Sequence, residues 1–147
     1  MIGNKIRLGL FYMLYLGLCP VGIEAADPEV LKPRVPNEQM EEARTWKNPF
    51  PSTSDNIKKG EALFHGKAFC VTCHGKDGKG FGNIPGLLGK LPRNFTDKDW
   101  QAERKDGELL WILKNGSAGT AMASFIPLVI TEDEAWHVIL YVRSFRK

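Results

Sequence analysis

Hydrophobic residues recur every three or four positions in the last third of the chain, which is the spacing of one face of an α-helix. Residues 106–114 (DGELLWILK) predict one helix, and the Asn115-Gly116 pair directly after it is a typical helix stop. Residues 131–134 (TEDE) form a capping box, which predicts the start of a last helix. The apolar side of that last helix carries Trp136, Ile139, Leu140 and Val142.

Two earlier segments also carry helix signals. Residues 52–55 form a capping stretch, and Ile57, Gly60 and Phe64 follow it at helical spacing. Glycine is a poor helix former, so Gly60 indicates close contact with another element. Residues 96–99 predict the cap of a short helix that carries Trp100. No segment alternates convincingly as a strand would, so the predicted fold class is all-α with long loops.

The first 25 residues are typical of a secretory signal peptide. Lys5 and Arg7 give a basic start, an apolar run follows at residues 8–19, and Ala25 offers a small residue before a cut. We expect cleavage after Ala25. An uncleaved anchor is the alternative, although residues 8–23 are fewer than the about 20 that span a bilayer.

Residues 26–51 are predicted to form a proline-rich extension, because five of the nine prolines lie there. A short helix is predicted between Pro36 and Pro49. A strap packed over the domain, or a loose linker, is the favoured interpretation, and a docking arm for a partner is the alternative. The compact domain then runs over residues 52–147.

Composition narrows the class of protein further. The chain has 147 residues, with 20 lysines and arginines against 17 acidic residues, and this net charge of +3 is too small to favour a nucleic-acid binder. Three cysteines are too few for a disulfide-stapled scaffold. Removal of residues 1–25 would leave a charge of +2 and two cysteines, Cys70 and Cys73.

Those two cysteines belong to the sequence Cys70-Val71-Thr72-Cys73-His74, which has the C-x-x-C-H spacing of c-type haem attachment. Two thiols about one helical turn apart can reach both vinyl groups of one haem, and the adjacent imidazole supplies a nitrogen ligand to its iron. A thioredoxin-like redox pair is disfavoured because no βαβ pattern is present. A zinc site is disfavoured because no second C-x-x-C or H-x-x-x-H supplies further ligands.

The iron of such a haem needs a sixth ligand or an open face. Met122 is the favoured ligand, because it lies in a Gly-containing loop 48 residues after His74. Met40 lies in the extension, and His65 is too close in sequence to the cysteines to reach the opposite face. The remaining candidate, His137, is typical of a core or surface histidine on the last helix.

Residues 52–147 resemble a class I monohaem c-type cytochrome. The resemblance rests on a first helix with Gly60 and Phe64, the motif at 70–75, a loop with Pro85, the loop to Met122 and the last helix. It implies that the first and last helices cross where Gly60 and Phe64 meet an aromatic residue of the last helix, Trp136 or Tyr141.

The resemblance also implies roles for individual residues. Cys70 and Cys73 would bond the haem covalently, with His74 as the proximal and Met122 as the distal iron ligand. The carbonyl of Pro85 would accept a hydrogen bond from that histidine. The candidates for holding the haem propionates are Arg93, Asn94 and Trp100. One departure is Ala123, where the family often has proline, so we expect a softer loop around Met122.

The resemblance implies a carrier of single electrons between donor and acceptor redox proteins, in the periplasm or an equivalent exported space. A six-coordinate haem leaves no face for a small-molecule substrate. A fixed haem subunit of a larger membrane oxidoreductase complex is the first alternative. The second is a haem enzyme or ligand sensor with a labile Met122, for which Ala123 is the motivating feature.

Overall fold

The computed structural model describes residues 28–83 and 90–146, so the predicted signal peptide lies outside the described residues. Helices make up its regular structure, and the described residues contain no strand, which confirms the all-α prediction. The helices are α1 (Pro28–Leu31), α2 (Asn37–Thr45), α3 (Ser54–His65), α4 (Val71–His74), α5 (Lys98–Glu103), α6 (Asp106–Asn115) and α7 (Glu132–Ser144).

The last helix, α7, forms the centre of the core. Its start is fixed by the predicted capping box, in which the Glu134 amide donates to Thr131 Oγ1 at 3.2 Å and the Thr131 amide donates to Glu134 Oε2 at 2.8 Å. A cap of this kind contributes about 1 kcal/mol to stability. Every residue from Ala135 to Val142 is buried, so α7 is covered on all sides rather than along one stripe.

The contact that sets the position of α7 is its crossing with α3. Gly60 of α3 lies so close to α7 that a Cβ there would collide with the His137 carbonyl and meet Tyr141 Cβ at 3.0 Å. One turn further along, the buried Phe64 ring packs edge-on against Tyr141, with ring centroids 5.2 Å apart. Of the two aromatic residues expected at this crossing, the structure therefore places Tyr141 there.

The chain before residue 52 packs on the helices that follow it. Ala43 of α2 is fully buried, and its carbonyl lies against Gly107 of α6, where no Cβ would fit. Arg44 of α2 pairs with the buried Glu108 of α6 at 3.0 Å. The described part of the extension is thus a strap held by packing and an ion pair, and the boundary at residue 52 stays a prediction.

Glu108 organises a polar network under this strap. Its carboxylate accepts from Arg104 Nη1 at 2.7 Å and from the Lys105 amide at 3.1 Å, besides the contact with Arg44. Glu108 and Arg104 are 2% and 6% exposed, so each charge depends on its partner. Loss of Glu108 would remove the buried carboxylate that Arg104 and Arg44 share, and breaking a buried ion pair in this way costs about 3–5 kcal/mol. Among the described residues, none of the helices is long and apolar enough to span a membrane.

The crossing predicts the effect of Gly60→Ala. Alanine favours a helix over glycine by about 1 kcal/mol, but the added methyl group would collide with backbone atoms that cannot rotate away. Overpacking of this kind costs about 1–3 kcal/mol, so we expect a net loss of stability in urea unfolding. Lys59→Ala, on the exposed neighbour, is the control and should change stability by less than about 0.5 kcal/mol. Equal stability of Gly60→Ala and the wild type would show that the helices do not cross at Gly60.

Candidate functional site

One large cavity brings together residues that are far apart in sequence. It has a volume of about 740 Å³, within the usual range for ligand sites, and Cys70, Cys73, His74 and Met122 all line it. Helix α4 and its N-cap residue Cys70 supply the first three, and the loop between α6 and α7 supplies Met122. The apolar walls include Phe64, Trp100, Leu109, Leu113, Val138 and Ile139.

A single turn of helix places the two thiols and the imidazole together. The His74 amide donates to the Cys70 carbonyl at 2.9 Å, which closes the turn. Gly75 then ends α4 at a φ of 75°. Residues 71–74 form this turn. One short segment therefore brings the side chains of Cys70, Cys73 and His74 to the same cavity.

The orientation of His74 is fixed on two sides. Its Nδ1 donates to the Arg93 carbonyl at 3.2 Å, and its ring stacks on Phe95 with centroids 4.3 Å apart. This hydrogen bond puts the proton on Nδ1 and leaves the lone pair of Nε2 for a metal. Burial lowers the pKa of His74 to about 4, so the ring is neutral at pH 7 and suited to ligate iron.

The structure places the Arg93 carbonyl where it accepts a hydrogen bond from His74, the kind of contact that the resemblance implies for Pro85. Pro85 itself lies outside the described residues. The same long loop contains a second proline, Pro92, directly before Arg93. Which carbonyl of this loop faces His74 cannot be predicted from the sequence, since it depends on how the loop folds back onto α4.

The chemistry of Cys70 differs from that of a reactive redox cysteine. Burial raises the pKa of its thiol to about 12, so the side chain is neutral at pH 7. Catalytic and redox-sensing cysteines instead have a lowered pKa in electropositive surroundings. Cys70 and Cys73 are both free thiols, and both face the cavity. The site therefore fits attachment of a group inside the cavity better than thiol–disulfide exchange.

Main-chain hydrogen bonds hold the loop that carries Met122. The Ser117 amide donates to the Met122 carbonyl at 2.8 Å, and the Met122 amide donates to Thr120 Oγ1 at 3.2 Å. Gly116 ends α6 at a φ of 78°, and a Cβ there would meet the Met122 carbonyl at 2.8 Å. These contacts hold the backbone around Met122, and the softer loop expected from Ala123 stays a prediction.

The three predicted propionate contacts all line the cavity. Trp100 is buried, and its helix α5 is capped by Asp97, which accepts from the Trp100 amide at 2.8 Å. Asn94 is exposed, and its Oδ1 accepts from the Thr96 amide at 2.9 Å, within a turn. Arg93 instead donates from Nη1 to the Val30 carbonyl at 2.7 Å.

The cavity also contains cations that were not predicted to belong to the site. Six lysines and arginines line it among the described residues, against three acidic residues. Arg104 is the most buried of them, and its Nε has no hydrogen-bond partner. Its spacing of four residues from Glu108 was the available signal, but such pairs usually lie on the surface of a helix. Besides Arg93 and Arg104, the cations are Lys32, Arg34, Lys79 and Lys90.

The residues of this cavity fit a covalently attached haem. A haem is a flat apolar ring with two carboxylates, two vinyl groups and a central iron. The cavity offers apolar walls, a surplus of cations, two thiols, an imidazole with a free Nε2 and a thioether. His74 and Met122 are the residues that would ligate the iron, and Cys70 and Cys73 those that would bond the ring.

Fold and site together define a small helical haem protein of the c type. Residues 55–142 match the family described as cytochrome C oxidase, cbb3-type, subunit III. This match spans more than half of the chain, and the chain belongs to this family of monohaem c-type cytochrome domains. None of the curated proteins compared with the chain matches it.

Two solved structures are similar to the chain. One is the Kuenenia stuttgartiensis reducing HAO-like protein complex Kustc0457/Kustc0458, with 26% identity and a TM-score of 0.59. This match covers 67% of the chain and 47% of the solved chain, so the protein spans about half the length of that relative. The other is KustC0563 c-type cytochrome, with 31% identity and a TM-score of 0.50, covering 60% of the chain and 98% of that cytochrome.

The loop geometry predicts that Gly116→Ala disturbs Met122 and that Gly119→Ala does not. Both glycines have positive φ, 78° and 71°, so alanine adds backbone strain at each. Only at Gly116 would the new Cβ meet the Met122 carbonyl, whereas nothing lies within 4 Å at Gly119. We expect the far-red absorption band of methionine-ligated ferric haem to weaken in Gly116→Ala alone. Equal loss of the band in both variants would contradict this role of the close contact.

Proposed function

We propose that the protein is an exported electron-transfer protein that carries single electrons on one haem c. The observation that carries the proposal is the convergence of Cys70, Cys73, His74 and Met122 on one cavity. The family match and the c-type cytochrome among the similar structures support it. Bound haem supplies a couple between ferric and ferrous iron.

The protein's own residues would position this group and limit its chemistry. The Arg93 carbonyl fixes the ring of His74, and the main-chain bonds of the 116–122 loop fix Met122. Ligation by both residues would leave no coordination position for a substrate, which favours electron transfer over catalysis. The apolar walls keep water from the ring and so favour the ferrous state, in which the iron has one positive charge fewer.

A role as a fixed subunit of a larger complex is the second candidate function. It is favoured by the similarity to a structure described as a reducing HAO-like protein complex. In either role we expect donor and acceptor redox proteins as partners. Encounters of a free carrier with such partners bury little surface and are transient, whereas a subunit would stay bound through purification.

The attachment is tested by mass spectrometry of the protein produced with an export signal and a haem-attachment system. We expect one haem to remain bound after denaturation, and none in the double variant Cys70→Ala with Cys73→Ala. Retention of the haem by this double variant after denaturation would refute covalent attachment through these cysteines. Absence of haem from the wild type would refute the proposed function.

The ligand assignment is tested by Met122→Ala. We expect haem content to stay at the wild-type level, the far-red band of the ferric protein to disappear and the reduction potential to fall, because the thioether favours ferrous iron. Met40→Ala is the control, since Met40 lies on α2 and does not line the cavity. A far-red band that persists in Met122→Ala would show that another residue ligates the iron.

The two proposed roles are distinguished by fractionating the native host. A free carrier should appear in the soluble exported fraction and elute at the size of a single chain. A subunit should elute with other haem proteins or stay with the membrane. Fast binding of carbon monoxide by the untreated ferrous protein at neutral pH would instead favour an enzyme or a sensor.

A further inference from the structure

The segment of residues 29–35, which we call the N-terminal wall, lies against the cavity. Five of its seven residues line the cavity: Glu29, Val30, Lys32, Arg34 and Val35. Val35 is 4% exposed, and Val30 packs on the aromatic cluster around Phe64 and Trp100. The wall lies outside residues 55–142, which match the family, so it is an addition of this chain to the family domain.

Two arginines of the domain hold the backbone of this wall. Arg93 Nη1 donates to the Val30 carbonyl at 2.7 Å, and Arg104 Nη2 donates to the Leu31 carbonyl at 2.9 Å. Charged donors make stronger hydrogen bonds than neutral ones. Both arginines also line the cavity, so the wall is attached to the domain next to the cavity itself.

Arg104 can hold the wall firmly because it is itself fixed at several points. Its Nη1 donates to the buried Glu108 at 2.7 Å, and its carbonyl accepts from Arg143 Nη2 at 2.6 Å. The planar guanidinium thus bridges α6 and the wall with its two terminal nitrogens. Lysine has one nitrogen at its end and lacks this fork, so it could not keep both contacts with the same geometry.

We propose that the N-terminal wall keeps water from the haem, and that Arg104 is the positioning residue that holds this wall against the cavity. The inference rests on the proposed function, since it requires haem in the cavity. Ferric haem carries one more positive charge than ferrous haem and gains more from contact with water. A wall that covers the haem, with Val30 and Val35 as its apolar contacts, therefore raises the reduction potential.

The first test is Val35→Thr in the full-length, haem-loaded protein. This substitution replaces one methyl group by a hydroxyl group at the cavity surface, so it changes polarity with little change in shape. We expect a lower midpoint potential in a spectroelectrochemical titration, with unchanged haem content and an unchanged far-red band. Val129→Thr is the matched control, since Val129 packs on the core but does not line the cavity. An unchanged potential in Val35→Thr, or an equal fall in the control, would overturn the proposal.

The second test is Arg104→Lys, which weakens the attachment of the wall and leaves the side chains of the wall unchanged. We expect faster tryptic cleavage after Arg34 together with a lower midpoint potential. Arg44→Lys is the matched control, because Arg44 also pairs with Glu108 at 3.0 Å but bonds no carbonyl of the wall. It should leave the potential and the cleavage rate as in the wild type. Equal cleavage and equal potential in Arg104→Lys and the wild type would overturn the role of Arg104.

These outcomes are distinct from failure of the proposed function. A wild-type protein without covalent haem would refute the proposed function, and with it the basis of this inference. If the wild-type protein holds haem and the midpoint potential is unchanged in both Val35→Thr and Arg104→Lys, the inference about the wall is refuted while the proposed function stands. Should Val35→Thr fail to fold, the Arg104→Lys and Arg44→Lys pair still decides the matter, because cleavage and potential are read in the same samples.

Discussion

The close crossing of α3 and α7 at Gly60 is the constraint on which the site depends. It fixes the distance between the two helices whose inner faces supply Phe64, Val138 and Ile139 to the cavity. The chain leaves α3 only a few residues before Cys70, so the position of α3 also determines where α4 begins. A side chain at position 60 would separate the helices and shift the cavity wall and the α4 turn together.

Charge is distributed around the cavity in a way that suits a group with both apolar and anionic parts. Arg93 and Arg104 lie at its rim and bond backbone carbonyls, and Glu108 balances only part of the positive charge. An empty pocket of this kind would be costly, because clustered cations repel one another away from bulk water. A bound group with two carboxylates would offset that repulsion, so cofactor and protein stabilise each other.

The sequence predicted the long elements well and the loops poorly. The starts of α3 and α7 follow from capping residues and apolar spacing, and the end of α6 follows from the Asn115-Gly116 stop, all of which are local signals. The motif at residues 70–74 identified three site residues because their spacing reflects one helical turn. The partner of His74 could not be predicted in this way. It lies 19 residues away in a loop with two prolines, and only the folded loop decides which carbonyl faces the ring.

Neither the N-terminal wall nor the role of Arg104 could be predicted from the sequence. Residues 29–35 lie between prolines and carry no helical period, so they resemble a linker. Their attachment to the domain arises from tertiary contacts with residues more than sixty positions later. An arginine in a charged stretch is usually a surface residue, and the spacing of four residues between Arg104 and Glu108 is typical of an exposed helical pair as well.

Arg93 makes two hydrogen bonds that support the site, and it makes them through different atoms. Its carbonyl accepts the hydrogen bond of His74, and its guanidinium bonds the Val30 carbonyl. The first contact is available to any amino acid at this position, whereas the second requires a long side chain with an N–H donor. Natural variation at position 93 can therefore alter the closure of the wall while the imidazole keeps its orientation. Related chains could in this way diverge in reduction potential without any change in their iron ligands.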